Sequence, residues 1–263
     1  MSVLVDSHCH LDLLDYEKLE TDVDHVVSSA NENDIGYMLC VCIDWEQFPS
    51  MLALTRKFDN VFASVGVHPN HHEGHEPSVD ELVKEAADDK IIAIGETGLD
   101  YFRSEGDLDW QRDRFRRHID AAKQSDKPLI IHSREAREDT LMILDEERAA
   151  DIGGVMHCFA EDWETAKRAM DMNFYISFSG IVTFKSAETL KDVAKRVPLN
   201  RMLVETDSPY LAPAPYRGKT NQPAYVKHVA EHIAELRGTD YETIANASTE
   251  NFFTLFKHAK AAA

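Results

Sequence analysis

Asp6-Ser7-His8-Cys9-His10 places two imidazoles one residue apart. In an extended segment side chains alternate in direction, so His8 and His10 project the same way and can hold one metal ion together. Glu96, in Gly95-Glu96-Thr97-Gly98-Leu99-Asp100-Tyr101, follows the apolar run Ile91-Ile92-Ala93-Ile94. A carboxylate there is costly to bury without a cationic partner, and its two oxygens let it bridge two ions. His132, after Leu129-Ile130-Ile131, and His157, after Gly154-Val155-Met156, end apolar runs in the same way. Leu203-Val204-Glu205-Thr206-Asp207 adds two carboxylates on one face. Asp207, furthest out, is the better ligand; Glu205, one pleat deeper, is expected to orient a histidine or hold a basic side chain, and Asp6 stands in the same relation to His8.

Six candidate ligands result: His8, His10, Glu96, His132, His157 and Asp207. A closed structural zinc site needs only four, whereas six that share Glu96 imply two cations about 3.5–4 Å apart, the arrangement that clamps attacking and leaving oxygens in phosphoryl hydrolysis. Four histidines with carboxylates and no thiolate cluster suit zinc, manganese, iron or, with waters completing the shell, magnesium. Glu96 and Asp207 are the expected catalytic carboxylates, with Asp207 taking a proton from the attacking water. His68, in Gly66-Val67-His68-Pro69, is a candidate contact for a phosphate oxygen.

Such residues must be brought together by a frame. Eight strand candidates recur along the 263 residues: Val3 to His8, Tyr37 to Ile43, Val61 to Val67, Ile91 to Glu96, Leu129 to His132, Gly153 to His157, Phe174 to Phe178 and Met202 to Thr206. Helical stretches separate them, as in Leu108 to Lys123, where Leu108, Phe115, Ile119 and Ala122 recur at helical spacing. Strands apolar on both faces in eight β-α units predict a TIM-type (β/α)8 barrel, with an open doubly wound sheet as the alternative. The ligands then sit at the carboxyl ends of several strands, where barrel enzymes carry their chemistry. No linker-like or low-complexity run divides the chain, so residues 1–263 are expected to form one domain. No Gly-x-Gly-x-x-Gly or Gly-x-x-x-x-Gly-Lys run opens a helix, which speaks against dinucleotide or nucleoside-triphosphate binding.

Hydrophobic residues make up 43% and charged residues 29%, the balance of a folded soluble protein. The start, Met1 to His8, lacks the basic and apolar regions of a secretory leader, and no apolar stretch approaches the roughly 20 residues of a membrane span. Cys9, Cys40, Cys42 and Cys158 lie in apolar segments and are expected to be reduced thiols of a cytoplasmic protein. Lys and Arg total 28 against 47 Asp and Glu, a net charge of −19 that counts against a general nucleic-acid coat protein. A nuclease stays open, because bound cations neutralise a site locally and arginines can cluster. Arg103, Arg112, Arg114, Arg116, Arg117, Arg134 and Arg137 are the candidates, with Arg112 to Arg117 expected on a solvated helix face.

The chain resembles the TatD family of metal-dependent deoxyribonucleases, in particular its YcfH-like subgroup. The motifs are Asp6-Ser7-His8-Cys9-His10-Leu11-Asp12, Gly66-Val67-His68-Pro69, Gly95 to Tyr101, His132-Ser133-Arg134, His157-Cys158-Phe159 and Glu205-Thr206-Asp207-Ser208-Pro209-Tyr210-Leu211, in the family's order over essentially the whole length. The resemblance implies a TIM-type barrel of the amidohydrolase superfamily. It implies that His8, His10, Glu96 and Asp207 surround one metal and that Glu96, His132 and His157 surround the other; His68 and Arg134 are the candidate substrate contacts. It further implies magnesium- or manganese-dependent cleavage of DNA, often from 3′ ends of single strands. Where many members carry a His after His-Pro, an Arg and a Glu in the last loop, and a Gly soon after His-Cys-Phe, this chain has Asn70, Thr220, Gln222, and Glu161 or Asp162.

Two other functions compete. The same barrel can direct activated water to a carbonyl, as in an amidase or lactonase. Enzymes of the lactonase type commonly bridge their metals with a modified Lys, whereas the fourth strand here ends in Glu96 and begins at Lys90, the wrong end. A non-enzymatic metal-binding protein is the third, though every ligand position holds a competent residue.

Overall fold

A computed structural model of the protein describes residues 3–260. Met1 and Ser2, at the start read for a leader, and residues 261–263, the end of the expected domain, lie outside the described residues. Eight strands form one sheet in the order of the chain: β1 Leu4–Cys9, β2 Ile35–Cys40, β3 Val61–Val65, β4 Ile91–Asp100, β5 Leu129–Arg134, β6 Gly154–Met156, β7 Phe174–Phe178 and β8 Met202–Val204. Every neighbouring pair is parallel. The sheet curls until β8 meets β1 just beyond the ladder, where Asp207 N–H donates to His8 O (2.9 Å) and His10 N–H donates to Ser208 O (2.8 Å). This is the TIM-type barrel, with helices outside.

One inward residue from each strand, Val5, Leu39, Phe62, Ile92, Ile130, Val155, Tyr175 and Leu203, joins a single buried cluster. Phe252, at the end of helix Tyr241–Leu255, and Phe256 close that cluster at the amino-terminal end of the barrel. A larger apolar layer lies between the strands and the surrounding helices. The amphipathic stretch read from the sequence is a helix over Asp109–Ser125, burying Phe115, Ile119 and Ala122 and stopping at Asp126, whose φ is 54°. Among the described residues no helix is long and apolar enough to cross a membrane.

The strand limits differ from the sequence reading in one informative place. β4 continues past Glu96 to Asp100 and pairs with β5 through Gly98 with His132 and Asp100 with Arg134. Gly95, with φ 144°, is needed there because a Cβ would stand 2.6 Å from Ile130 O. Glycines and polar residues make this stretch look like a loop, yet they let two backbones approach closely at the level of the ligands.

Candidate metal centre

The carboxyl ends of the strands open into a cavity of about 760 Å³, lined by His10, His68, Glu96, His132, His157 and Asp207 among others. Glu96 lies at its floor, 3% exposed, with no Lys or Arg against it. Its two oxygens face different groups. Oε2 is 3.3 Å from His8 Nε2 and 3.9 Å from His10 Nε2. Oε1 is 2.9 Å from His157 Nε2, 3.0 Å from His132 Nδ1 and 3.3 Å from His68 Nε2. Asp207 Oδ1 completes the first group, 3.4 Å from His10 Nε2 and 3.7 Å from His8 Nε2. The six residues read from the sequence therefore converge on one point.

The hydrogen bonds on the far sides of the rings decide which nitrogens are free. His10 Nδ1–H donates to Val41 O (2.9 Å), His157 Nδ1–H to Glu205 Oε1 (3.2 Å) and His132 Nε2–H to Asp100 Oδ2 (3.1 Å). Each neutral ring is thereby fixed in the tautomer whose lone pair points at Glu96, the arrangement that carboxylate and carbonyl partners impose on metal-binding histidines. His157 Nε2 is buried and has no hydrogen bond, although it stands beside Glu96 Oε1. Lone pairs facing a carboxylate repel unless a proton or a cation lies between them. The donor set fits divalent metal on those grounds, and two of its triplets bring donor atoms within 4.8 Å, His8, Glu96 and His157, and His8, His10 and Asp207, while His68 forms a further such group with Glu96 and His132.

Charges in this pocket are strongly coupled. Burial pushes the Glu96 carboxyl up, but His157, His68 and His132 outweigh it and hold it well below the usual range. Burial likewise pulls His157 down, but Glu96 and Glu205 reverse the effect and raise it well above an ordinary histidine. His8 is lowered, by burial and then by His157, whose ring stacks on it at 3.9 Å. The first two shifts describe a pocket that favours positive charge beside Glu96, and the third shows that two adjacent imidazoles do not both carry it.

His68 differs from the other rings. Asn70 N–H donates to its Nδ1 (3.0 Å), so a neutral ring carries its proton on Nε2, the atom aimed into the cavity. It is placed to donate a hydrogen bond there. The loop that carries it is held from behind: Arg114 Nη1–H donates to His68 O (2.8 Å), and Val67 N–H donates to His118 Nε2 (3.1 Å). Arg114 corrects the expectation of a solvated arginine face, being 2% exposed in its side chain and paired with Glu76. Arg112, Arg116, Arg117 and Arg137 also face carboxylates, so the row of basic residues is mostly neutralised. Arg134 is exposed at the cavity rim.

Glu205 meets the expectation of a side chain that orients a histidine, and its Oε1 also accepts from Cys158 N–H (2.7 Å). Asp6 does something else: its carboxylate accepts from Thr206 N–H (2.8 Å) and Thr206 Oγ1–H (2.6 Å) and touches no imidazole. It ties β1 to the segment between Glu205 and Asp207. A register irregularity between Asp6 and Cys9 breaks the simple alternation that linked Asp6 to His8.

Asp100 had no assigned role, yet it holds His132 and accepts from Asn70 Nδ2–H (2.7 Å) and from the backbone of Phe102 and Arg103. The period-two spacing Glu96, Gly98, Asp100 was the available signal, hidden by ending β4 too early. Asn221 is a second omission: buried, its Nδ2 donates to Thr206 O (2.8 Å) and Tyr210 O (2.6 Å), pinning the loop of Asp207. Asn70 lines the cavity, while Thr220 and Gln222 do not. Cys9, Cys40, Cys42 and Cys158 are free thiols.

The model of the TatD related DNase family matches residues 5–257. The uncharacterized metal-dependent hydrolase YcfH of Escherichia coli strain K12 is 51% identical over 254 residues, covering 96% of this chain and 95% of that protein. YabD of Bacillus subtilis strain 168, also an uncharacterized metal-dependent hydrolase, is 41% identical over 256 residues, covering 97% and 99%. The crystal structure of YjjV, a TatD homolog from Escherichia coli K12, superposes with a TM-score of 0.88 at 28% identity, covering 97% and 98% of the two chains. A family match over nearly the whole length, on a barrel whose strand ends converge on Glu96, identifies the chain as a member of the TatD family of metal-dependent hydrolases.

Proposed function

We propose that the protein is a deoxyribonuclease that removes nucleotides from the 3′ end of single-stranded DNA with two divalent cations. Magnesium or manganese would serve in activity, and zinc or another transition metal can occupy the same nitrogen-rich donors. The observation that carries this reading is Glu96, whose two oxygens face two separate sets of imidazoles. His8, His10, Glu96 and Asp207 would hold one ion; Glu96, His132 and His157 the other. When bound, such a pair supplies Lewis acidity and lowers the pKa of water toward neutrality.

The remaining steps belong to the chain. Asp207 reaches the cavity and accepts the proton of the attacking water, while Glu96 fixes the distance between the two halves of the site. His68, with its proton on Nε2, donates to a non-bridging phosphate oxygen as charge develops there. Arg134 draws the strand's backbone to the rim. Asp100 and Glu205 keep His132 and His157 in the tautomer the site requires. A lactonase-type site would need a lysine at the bridging position. Lys90 instead donates to Val61 O (3.0 Å) at the start of β4, remote from Glu96.

The test is to strip the protein of metal and incubate it with a 5′-labelled single-stranded oligonucleotide, with and without Mg²⁺ or Mn²⁺, beside the His132→Ala variant. A cation-dependent ladder that shortens from the 3′ end and is absent in the variant is the expected result. An intact oligonucleotide with metal demonstrably bound would withdraw DNA and redirect the search to amides, lactones or small phosphoesters.

A further inference from the structure

Large hydrophobic side chains exposed among the described residues are few: Val3, Phe102 (55%), Met142 and Tyr210 (53%). The two aromatic ones both belong to loops at the carboxyl end of the barrel, Phe102 just after β4 and Tyr210 in the segment after β8. In an eight-stranded barrel closed in chain order, strands four and eight are diametrically opposed. Their loops nevertheless reach toward one another over the mouth, for the charge of Arg103, next to Phe102, is felt at the Tyr210 hydroxyl. Tyr210 also lines the cavity and sits 6.3 Å, ring to ring, from His10.

Positive charge follows the same line. The guanidinium of Arg134 lies over the Phe102 ring at 4.0 Å, and Arg103 is the next residue along. Both arginines line the cavity, and neither forms an ion pair with a carboxylate, unlike Arg112, Arg114, Arg116, Arg117 and Arg137. On a chain of net charge −19, two unneutralised arginines beside the exposed aromatic rings make a local exception. Apolar rings left in water beside free guanidinium groups are the equipment of a single-stranded nucleic-acid groove: the cations meet the backbone and the ring faces take the bases.

We infer that Phe102, backed by Arg134, and Tyr210 are two base-stacking platforms that grip a single strand at the mouth above the metal centre, with Arg103 and Arg134 on its phosphates. This inference rests on the phosphodiesterase reading of the same site and adds to it the part of the substrate that is recognised. Stacking needs only a π-face, so recognition is tolerant of sequence but demands unpaired bases near the cleaved end.

Two 5′-labelled oligonucleotides of equal length test it, one natural and one whose three 3′-terminal nucleotides are abasic, digested in Mn²⁺ with bound metal measured in every sample. The wild type is expected to prefer the natural end by about tenfold or more in kcat/KM. Phe102→Ala and Tyr210→Ala should each lose about five- to a hundredfold on the natural oligonucleotide, mainly in KM, and lose most of that preference. Tyr210→Phe should keep it, as should Met142→Ala, which removes an exposed hydrophobic side chain far from the cavity. A 2-aminopurine at the 3′ end should be quenched on binding to the wild type and remain bright with Tyr210→Ala. Equal cleavage of both oligonucleotides by the wild type, or alanine variants with unchanged KM and quenching, overturns the platforms while leaving the nuclease reading intact. A metal-loaded wild type that cleaves neither oligonucleotide removes both.

Discussion

Ile130 and His132 on β5, Val155 on β6 and His157 just past its end, and Leu203 on β8 and Glu205 just past its end stand two positions apart, and each pair faces the same barrel interior. The first member of each pair joins the apolar cluster sealed by Phe252 and Phe256; the second belongs to the metal centre. Within two residues, the organising physics changes. The lower half is held by non-directional burial, for which volume matters and the identity of an aliphatic side chain matters less. The upper half buries His8, His10, Glu96, His157 and Glu205 almost completely, so each polar atom there must be matched in direction as well as in number. Substitutions should separate the two halves by which property they destroy.

The largest separation should come from Glu96→Gln. Loss of one charge at the shared carboxylate should release metal from both sets of imidazoles and lower hydrolysis by about a thousandfold. Metal content and rate, measured on the same sample, should fall together while the circular dichroism spectrum persists. Leu203→Ala should do the reverse, costing about 2–5 kcal/mol of unfolding free energy by opening a cavity in the lower cluster. Its metal content at a permissive temperature should be unchanged; a variant that loses metal in proportion would show that the halves are one cooperative unit.

Asp100→Asn sharpens the comparison inside the upper half. It keeps an acceptor near His132 but removes the charge that backs the ring, and should weaken binding by the His132 group about 10–100-fold while sparing the His10 group. Titration calorimetry that resolves two binding events would read this directly, and equal weakening of both would assign Asp100 to the whole centre. Cys42→Ala should have the smallest effect. Cys42 meets the site only through its carbonyl, which accepts from Glu96 N–H (2.9 Å), so metal content should hold and stability should change by about 1 kcal/mol or less.

The lower half and the ligands were legible in the sequence for complementary reasons. Strands apolar on both faces register as continuous runs, and an imidazole or carboxylate that ends such a run stands out against it. The connections among polar groups were not legible. Asp100 was hidden because Gly95 and Gly98 resemble loop residues until β5 is seen lying against them. Asp6 was misassigned because strand alternation fails at a register shift, and only the fold brings Thr206 beside it, 200 positions away. Arg114 was read from a charged helix whose outer face is solvated, whereas its side chain turns inward to His68 O. One-dimensional patterns report which side of an element is wet; they carry little about which of two distant polar groups will meet.

The seam between β1 and β8 gives the centre an order of assembly. The hydrogen bonds that join the first strand to the last, from Asp207 to His8 and from His10 to Ser208, belong to residues of the centre itself. A ribosome must release the chain beyond Ser208 before either can form, and contacts of such long sequence separation are slow to close. A partly synthesised chain therefore offers scattered imidazoles but no complete site, and full-affinity loading must wait until β8 has met β1.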